Sequence, residues 1–231
     1  MKFRRNELVA LSLGLGVLLL LLSSIVISAG GEPLQTSDFT PTAYTYLPFV
    51  AREPTNTPMP PPLVIADFDR CDNMNNLGGE MGAAYTGEDI LFESYPPRLP
   101  GGGCMVKLEY NIEAWSAFWL KLRMLDLSSR SQISFDIRAD DPVPGWIKVE
   151  LHRVCTTVDG QTTCEQSEIT YISGITTIWQ TMSIPLSDFG PAPGFDPLET
   201  WEGMQELVFT FERSLAGQYG VVYLDNIEVW E

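Results

Sequence analysis

The sequence predicts an all-β domain, a two-sheet jelly-roll β-sandwich over residues 63–231, behind an N-terminal hydrophobic helix and a Thr/Pro-rich linker. Three observations carry this. From Leu63 onward, short β-rich runs follow one another between clusters of Gly, Pro, Asp and Asn. No long segment there holds a helical period. The strongest runs alternate apolar with polar residues, the period-2 signature of a strand with one buried face.

The elements justify themselves in order. Residues 1–30 open with MKFRRNE and continue as an uncharged apolar run from Leu8 to Ala29, long enough to span a bilayer. Two readings stand, a cleaved signal peptide and an uncleaved signal anchor. Ala29 suits a cleavage site, but Ile27 is not the small residue such a site prefers. The basic flank stays inside, so the remainder is expected outside the cell, secreted or anchored, with the membrane engaged only through this segment. Residues 31–62 hold too few apolar side chains for a core and read as an extended spacer ending REPTNTPMPPP. Inside it, Tyr44–Val50 (YTYLPFV) is an apolar island, either a sticky patch or a docking signal. The chain carries a net charge of −16; residues 1–30 contribute +2, leaving −18 on the rest. So acidic a surface repels nucleic acid and anionic lipid.

Three runs in the middle separate two faces. Phe118, Leu120, Leu122 and Met124 oppose Trp119, Lys121 and Arg123; Ile133, Phe135 and Ile137 oppose Ser134, Asp136 and Arg138. Ile147, Val149 and Leu151 oppose Trp146, Lys148, Glu150 and His152. The expected outer face therefore mixes tryptophan with both charge signs. In the closing run GVVYLDNIEVWE, strict alternation puts Asp225 on one face with Val221, Tyr223, Ile227 and Val229. A carboxylate among core residues needs a partner. Trp179 is expected in the core, and Tyr95 and Trp201, in loop-like stretches, at a cleft rim.

Export makes disulfides the default for the four cysteines. In CTTVDGQTTC, Asp159-Gly160 is a two-residue hairpin turn, and counting outward brings Cys155 opposite Cys164 on a non-hydrogen-bonded pair. Cys71–Cys104 follows by elimination.

Taken together, IADFD, NNLGGE, LDLSSRSQISFDIRAD, WQTMSIPLSDFG and VYLDNIEVW resemble, in that order, a galactose-binding-like jelly roll. The chain is similar to family 11 carbohydrate-binding modules and to the complex I intermediate-associated protein family. The resemblance implies adjacent first and last strands, with a structural calcium where they meet, held by Asp67, Asp69 and Asp225. The alternative is that Asp225 accepts backbone hydrogen bonds at a β-bulge.

Catalysis is poorly supported. His152 is the only histidine, and no G-x-S-x-G elbow or P-loop occurs. With oxidised cysteines, a Cys/His zinc site fails. Binding of a polysaccharide or cell-surface glycan fits the residues better, through Trp119, Lys121, Arg123, Asp136, Arg138, Trp146, Lys148, Glu150 and His152, because tryptophan faces stack on sugar rings while charged groups meet hydroxyls. Cross-strand ion pairing on a solvated sheet is the bland alternative. A protein-binding assembly or adhesion surface is the second function class, and a polysaccharide-cleaving enzyme ranks behind both. Between glycans, the basic residues favour an acidic chain and the family resemblance a neutral β-glucan.

Overall fold

The computed structural model describes residues 60–99, 102–158 and 161–231, and the side chains of all these except 154–158 and 161–165. The N-terminal apolar segment, most of the linker and Tyr44–Val50 lie outside the described residues, as do the side chains of Cys155 and Cys164.

Twelve strands form two antiparallel sheets. They are β1 (Leu63–Ala66), β2 (Met81–Tyr85), β3 (Ile90–Ser94), β4 (Val106–Asn111), β5 (Trp115–Leu125) and β6 (Gln132–Ala139), then β7 (Trp146–Val158), β8 (Gln161–Ser173), β9 (Gln180–Pro185), β10 (Gly190–Pro191), β11 (Met204–Glu212) and β12 (Tyr219–Trp230). One sheet runs β3-β4-β12-β6-β9, with β1 also on β12; the other runs β10-β8-β7-β11-β5-β2. A 3-10 turn at Leu186–Asp188 and a single helical turn, α1 (Arg213–Ala216), are the helical elements among the described residues. First and last strands are adjacent, with Leu63 opposite Val229.

Alternation builds the core as expected. Phe118, Leu120 and Leu122 of β5, Ile147, Val149 and Leu151 of β7, and Leu207, Phe209 and Phe211 of β11 are buried from one sheet. Ile133, Phe135 and Ile137 of β6 are buried from the other, and Phe135 meets Phe209 edge-on with ring centroids 5.2 Å apart. Contacts of this kind between facing side chains join the two sheets over one apolar layer.

Three expectations about faces need correction. β6 lies in the sheet opposite β5 and β7, so Asp136 and Arg138 stand on the far side of the molecule from Trp119. Equal patterning cannot say which sheet a strand joins. On β12 the inner residues are Val222 and Leu224, then Ile227 and Val229. A register shift falls between Asp225 and Glu228, and Asn226 takes a left-handed φ of 48°. This bulge flips the parity, so Val221, Tyr223 and Asp225 leave the core side. Met124, expected in the core, is 59% exposed.

The disulfide Cys71–Cys104 is present, with Cα atoms 5.3 Å apart. In the β7–β8 hairpin, Val158 stands opposite Gln161 and Cys155 opposite Cys164, the register expected from the sequence.

Candidate functional site

The outer face of the β5-containing sheet carries a cleft of about 640 Å³. Its wall and floor come from alternate residues of adjacent strands: Trp115, Ala117, Trp119 and Lys121 on β5, Glu206, Val208, Thr210 and Glu212 on β11, Lys148, Glu150 and His152 on β7. Antiparallel register sets these side by side, with Trp119 opposite Val208 and Val208 opposite Glu150.

Trp119 is the aromatic floor. Its cross-strand partner on β2 is Gly82, and a Cβ at that position would stand 2.8 Å from the indole Cζ2. The absent side chain makes room for the indole against β2, and Trp119 lines the cleft. The Lys121 ammonium stands 5.2 Å from the ring centroid. Trp115 is placed by a different device. The buried Asp89 carboxylate accepts the backbone N–H groups of Glu113, Ala114 and Trp115, at 2.6 Å and 2.8 Å for the first and last. The Glu113 bond above all, with those of Trp115 and Ala114, outweighs burial and holds the Asp89 pKa below the usual carboxylate range. Trp115 and Trp119 are four residues apart on one strand face, about 13 Å at strand rise.

Along the cleft runs a ladder of alternating charge. Lys121 Nζ pairs with Glu206, and His152 donates from Nδ1 to Glu206 and from Nε2 to Glu150, each at 3.4 Å. Lys148 Nζ lies 3.3 Å from Glu150 and 2.8 Å from Glu212, while Thr210 Oγ1 donates to Glu150. Burial works to lower the His152 pKa, but the hydrogen bonds and charges of Glu150 and Glu206 outweigh it and push it up to about 9. Burial likewise works to raise Glu150 and Glu206, yet His152, Thr210 and the lysines hold both below their ordinary values. At neutral pH the ladder therefore holds three positive and three negative groups. Its ends are its open points: the Lys121 side chain is 37% exposed and Glu212 32%, against 9% for Glu206.

Against this geometry stand the comparisons. The family model described as carbohydrate binding domain 30 matches residues 104–231. The chain belongs to that family. This family 30 domain is thus a carbohydrate-binding module. Its fold is similar to the family 11 module of the cellulosomal cellulase Lic26A-Cel5E of Clostridium thermocellum, at 18% identity and a TM-score of 0.57, covering 74% of this chain and 94% of that one. It is equally similar to a family 11 module from Clostridium thermocellum in complex with a β-1,3-1,4-mixed-linked tetrasaccharide, at 17% identity and TM-score 0.57, covering 73% and 95%. At these identities the likeness is one of fold. No curated protein matches the chain.

Of the nine ligand residues expected from the sequence, the family 30 domain brings five into the cleft: Trp119, Lys121, Lys148, Glu150 and His152. Trp146 is 47% exposed at the start of β7, outside the cleft lining. Arg123 turns away and donates to the Gly78 carbonyl at 2.9 Å. Asp136 and Arg138 belong to the other sheet, where the Arg138 guanidinium stacks 3.7 Å from the Tyr223 ring centroid. Trp179 is there too, half-buried under Arg98 at 4.4 Å. Tyr95 packs against Phe68 and Trp201 against Phe189, so neither rims the cleft. The run ELVFTFE reads as a strand from the sequence, but none of its residues is expected at the site, although Glu206, Val208, Thr210 and Glu212 alternate there with Leu207, Phe209 and Phe211. Trp115 stands at the first position of β5, ahead of the alternating run from Phe118 to Met124 in which the outer face is read.

The residues expected to bind calcium do not gather. Among the described residues, no group of three or more His, Cys, Asp or Glu is arranged to hold a metal ion. Asp67 accepts from Asn76 Nδ2 at 2.8 Å and from the Asp69 N–H at 3.1 Å. Asp225 stands directly across from Asp136 and accepts the Asn226 N–H at its bulge. The cation between the two carboxylates is Arg98, with Nη1 2.7 Å from Asp225 and 3.3 Å from Asp136. In this arrangement Asp225 and Asp136 share the Arg98 guanidinium as their counter-ion.

Proposed function

We propose that this domain is a non-catalytic module that binds a neutral polysaccharide of the β-glucan class along the β5–β11–β7 cleft, outside the cell, secreted or held by its N-terminal segment. The observation that carries the reading is the Trp119 indole laid over Gly82 beside a charge-balanced ladder. A flat indole offers its face to the C–H side of a pyranose ring, and fixed carboxylates and ammonium groups meet the hydroxyls. Each lysine in the cleft already has a carboxylate partner, which favours a neutral chain over an anionic one. Glycosidases require a carboxyl group that is protonated at working pH. Here Glu150 and Glu206 are both held ionised, which supports binding without cleavage. The disulfide Cys71–Cys104 supports an oxidising compartment.

Affinity electrophoresis in gels containing mixed-linkage β-glucan tests this directly. The parent domain is expected to be retarded, Trp119→Ala to migrate nearly as in a blank gel, and added salt to change little. Retention by a polyuronate but not by the neutral glucan would overturn the ligand class. Silence across neutral and acidic glycans alike would favour a protein partner instead.

A further inference from the structure

At the end of the cleft marked by Lys121 and Glu206, the backbone leaves regular pairing. Lys121 stands opposite Glu206 and Leu125 opposite Met204. The three residues Leu122, Arg123 and Met124 therefore face the single residue Gln205. Leu122 stays in the core, so Arg123 and Met124 are the inserted pair. Both take left-handed backbone conformations, φ 55° and 64°, although neither is glycine. On the other side of β11, His152 pairs with Glu206 and Arg153 with Met204, leaving Gln205 as an extra residue there as well. Two bulges thus coincide on neighbouring strand pairs, immediately beyond the cleft's charged end.

The consequence is an exposed methionine where parity would bury one. Met124 follows Phe118, Leu120 and Leu122 in the inward series, yet it is 59% exposed. Gln205 and Gly203 flank it. Gln205 Nε2 donates to Met124 Sδ at 3.3 Å, and a Cβ on Gly203 would stand 3.4 Å from the Met124 methyl. Gly203 itself has a φ of 71°. Arg123 does not cover the methionine, because its guanidinium reaches back to Gly78. Bulges next to binding sites re-aim side chains, and left-handed non-glycine residues persist where the surroundings over-determine them.

We infer that Met124, held by Gln205, extends the glycan cleft past Lys121 as an apolar contact for an additional sugar unit, and so sets the preference for longer chains. A thioether is polarizable and adaptable, suited to the C–H face of a ring that no indole reaches. The inference rests on the proposed glycan binding in the same cleft and concerns one end of it.

Isothermal titration with a series of neutral β-glucan oligosaccharides, from trisaccharide to hexasaccharide, tests it on the whole domain. Met124→Gly removes the side chain while suiting the left-handed backbone, so its melting temperature is not expected to fall. It should leave trisaccharide affinity unchanged and weaken hexasaccharide binding by about two- to tenfold. Met124→Leu, which keeps an apolar side chain, should retain most of the hexasaccharide affinity. If Met124→Gly binds every length like the parent, or loses all lengths equally, Met124 is not a subsite. A parent domain that binds none of the oligosaccharides overturns both this inference and the glycan reading, whereas an intact parent with an indifferent Met124→Gly overturns the inference alone.

Discussion

Replacing Arg98 by methionine should expose how the domain compensates a buried carboxylate, Asp225. The Arg98 guanidinium stands 2.7 Å from Asp225 and 3.3 Å from Asp136, with side-chain exposures of 30%, 5% and 19%. Methionine keeps an apolar stem against Trp179 and leaves two carboxylates facing each other. Breaking a buried ion pair from one side costs about 3–5 kcal/mol. Arg98 is partly solvated, so about 2–3 kcal/mol is the reasonable figure, or roughly 4–12 °C of melting temperature for a domain of this size. The pH dependence gives the sharper test. Burial raises the Asp225 pKa, and the hydrogen bonds from Arg98 and Asn226 only partly reverse it. Without Arg98 the pKa rises further above its unfolded value. The penalty is then full above that folded pKa and shrinks as pH falls through it, because the protonated acid needs no counter-charge. Urea titrations at pH 7 and in mild acid should therefore show the gap between parent and Arg98→Met closing on acidification. Arg98→Met/Asp225→Asn should regain most of the loss at neutral pH. A gap of equal size at every pH would refute the assignment of Arg98 as the counter-ion. So would a large rise in parent melting temperature with added calcium, since the carboxylates would then be held by metal.

Other perturbations address the cleft itself. Gly82→Ala drives a Cβ to 2.8 Å from the Trp119 ring and should lift the indole, weakening glycan binding about three- to tenfold; titration of the variant beside Trp119→Ala measures it, and parent-like affinity would mean the indole is not the platform. His152 has its pKa raised from 6.5 to about 9, so its contribution is complete below pH 6.5 and is lost as pH rises through 9. The parent should lose up to about 3 kcal/mol across that window, whereas His152→Gln should show no such slope; identical pH profiles would remove His152 from the ladder's energetics.

Strands and core were legible because period-2 alternation is a local property of each run. Phe118, Phe135 and Val149 declare their inward direction within a few residues of sequence. Membership of a sheet is not local. Nothing in SQISFDIRA distinguishes a neighbour of β5 from a strand in the sheet across the core, and that alone moved Asp136 and Arg138 off the site. Bulges are the second blind spot. Asn226 tolerates a left-handed φ and hints at one, but Arg123 and Met124 give no compositional sign of theirs. Arg98, the partner that Asp225 required, lies in the β3–β4 connection, 127 residues away in sequence. The resemblance names a calcium for that role by motif, and a guanidinium so far away in sequence is visible only in the fold.

The charge arrangement explains how so acidic a domain can host a binding face that is locally neutral. The part beyond residue 30 carries −18, which at long range repels polyuronates and other anionic polymers. Beyond about 8 Å at physiological ionic strength that field is screened, so the groups a bound sugar meets are the ladder's own. Within the ladder each charge has a partner of opposite sign on a neighbouring position, from Lys121 through Glu206, His152, Glu150 and Lys148 to Glu212. Mutual pairing fixes these side chains before ligand arrives, so little rotamer freedom remains to be lost on binding. A ligand bringing its own charge would have to compete with an existing ion pair and leave a partner unsatisfied, which is costly in a half-buried site. A neutral ring bearing hydroxyls does not: it donates to and accepts from the open ends, Lys121 and Glu212, while its apolar face covers Trp119. The proposed selectivity for neutral sugar rests on the completeness of the pairing rather than on the number of charges present.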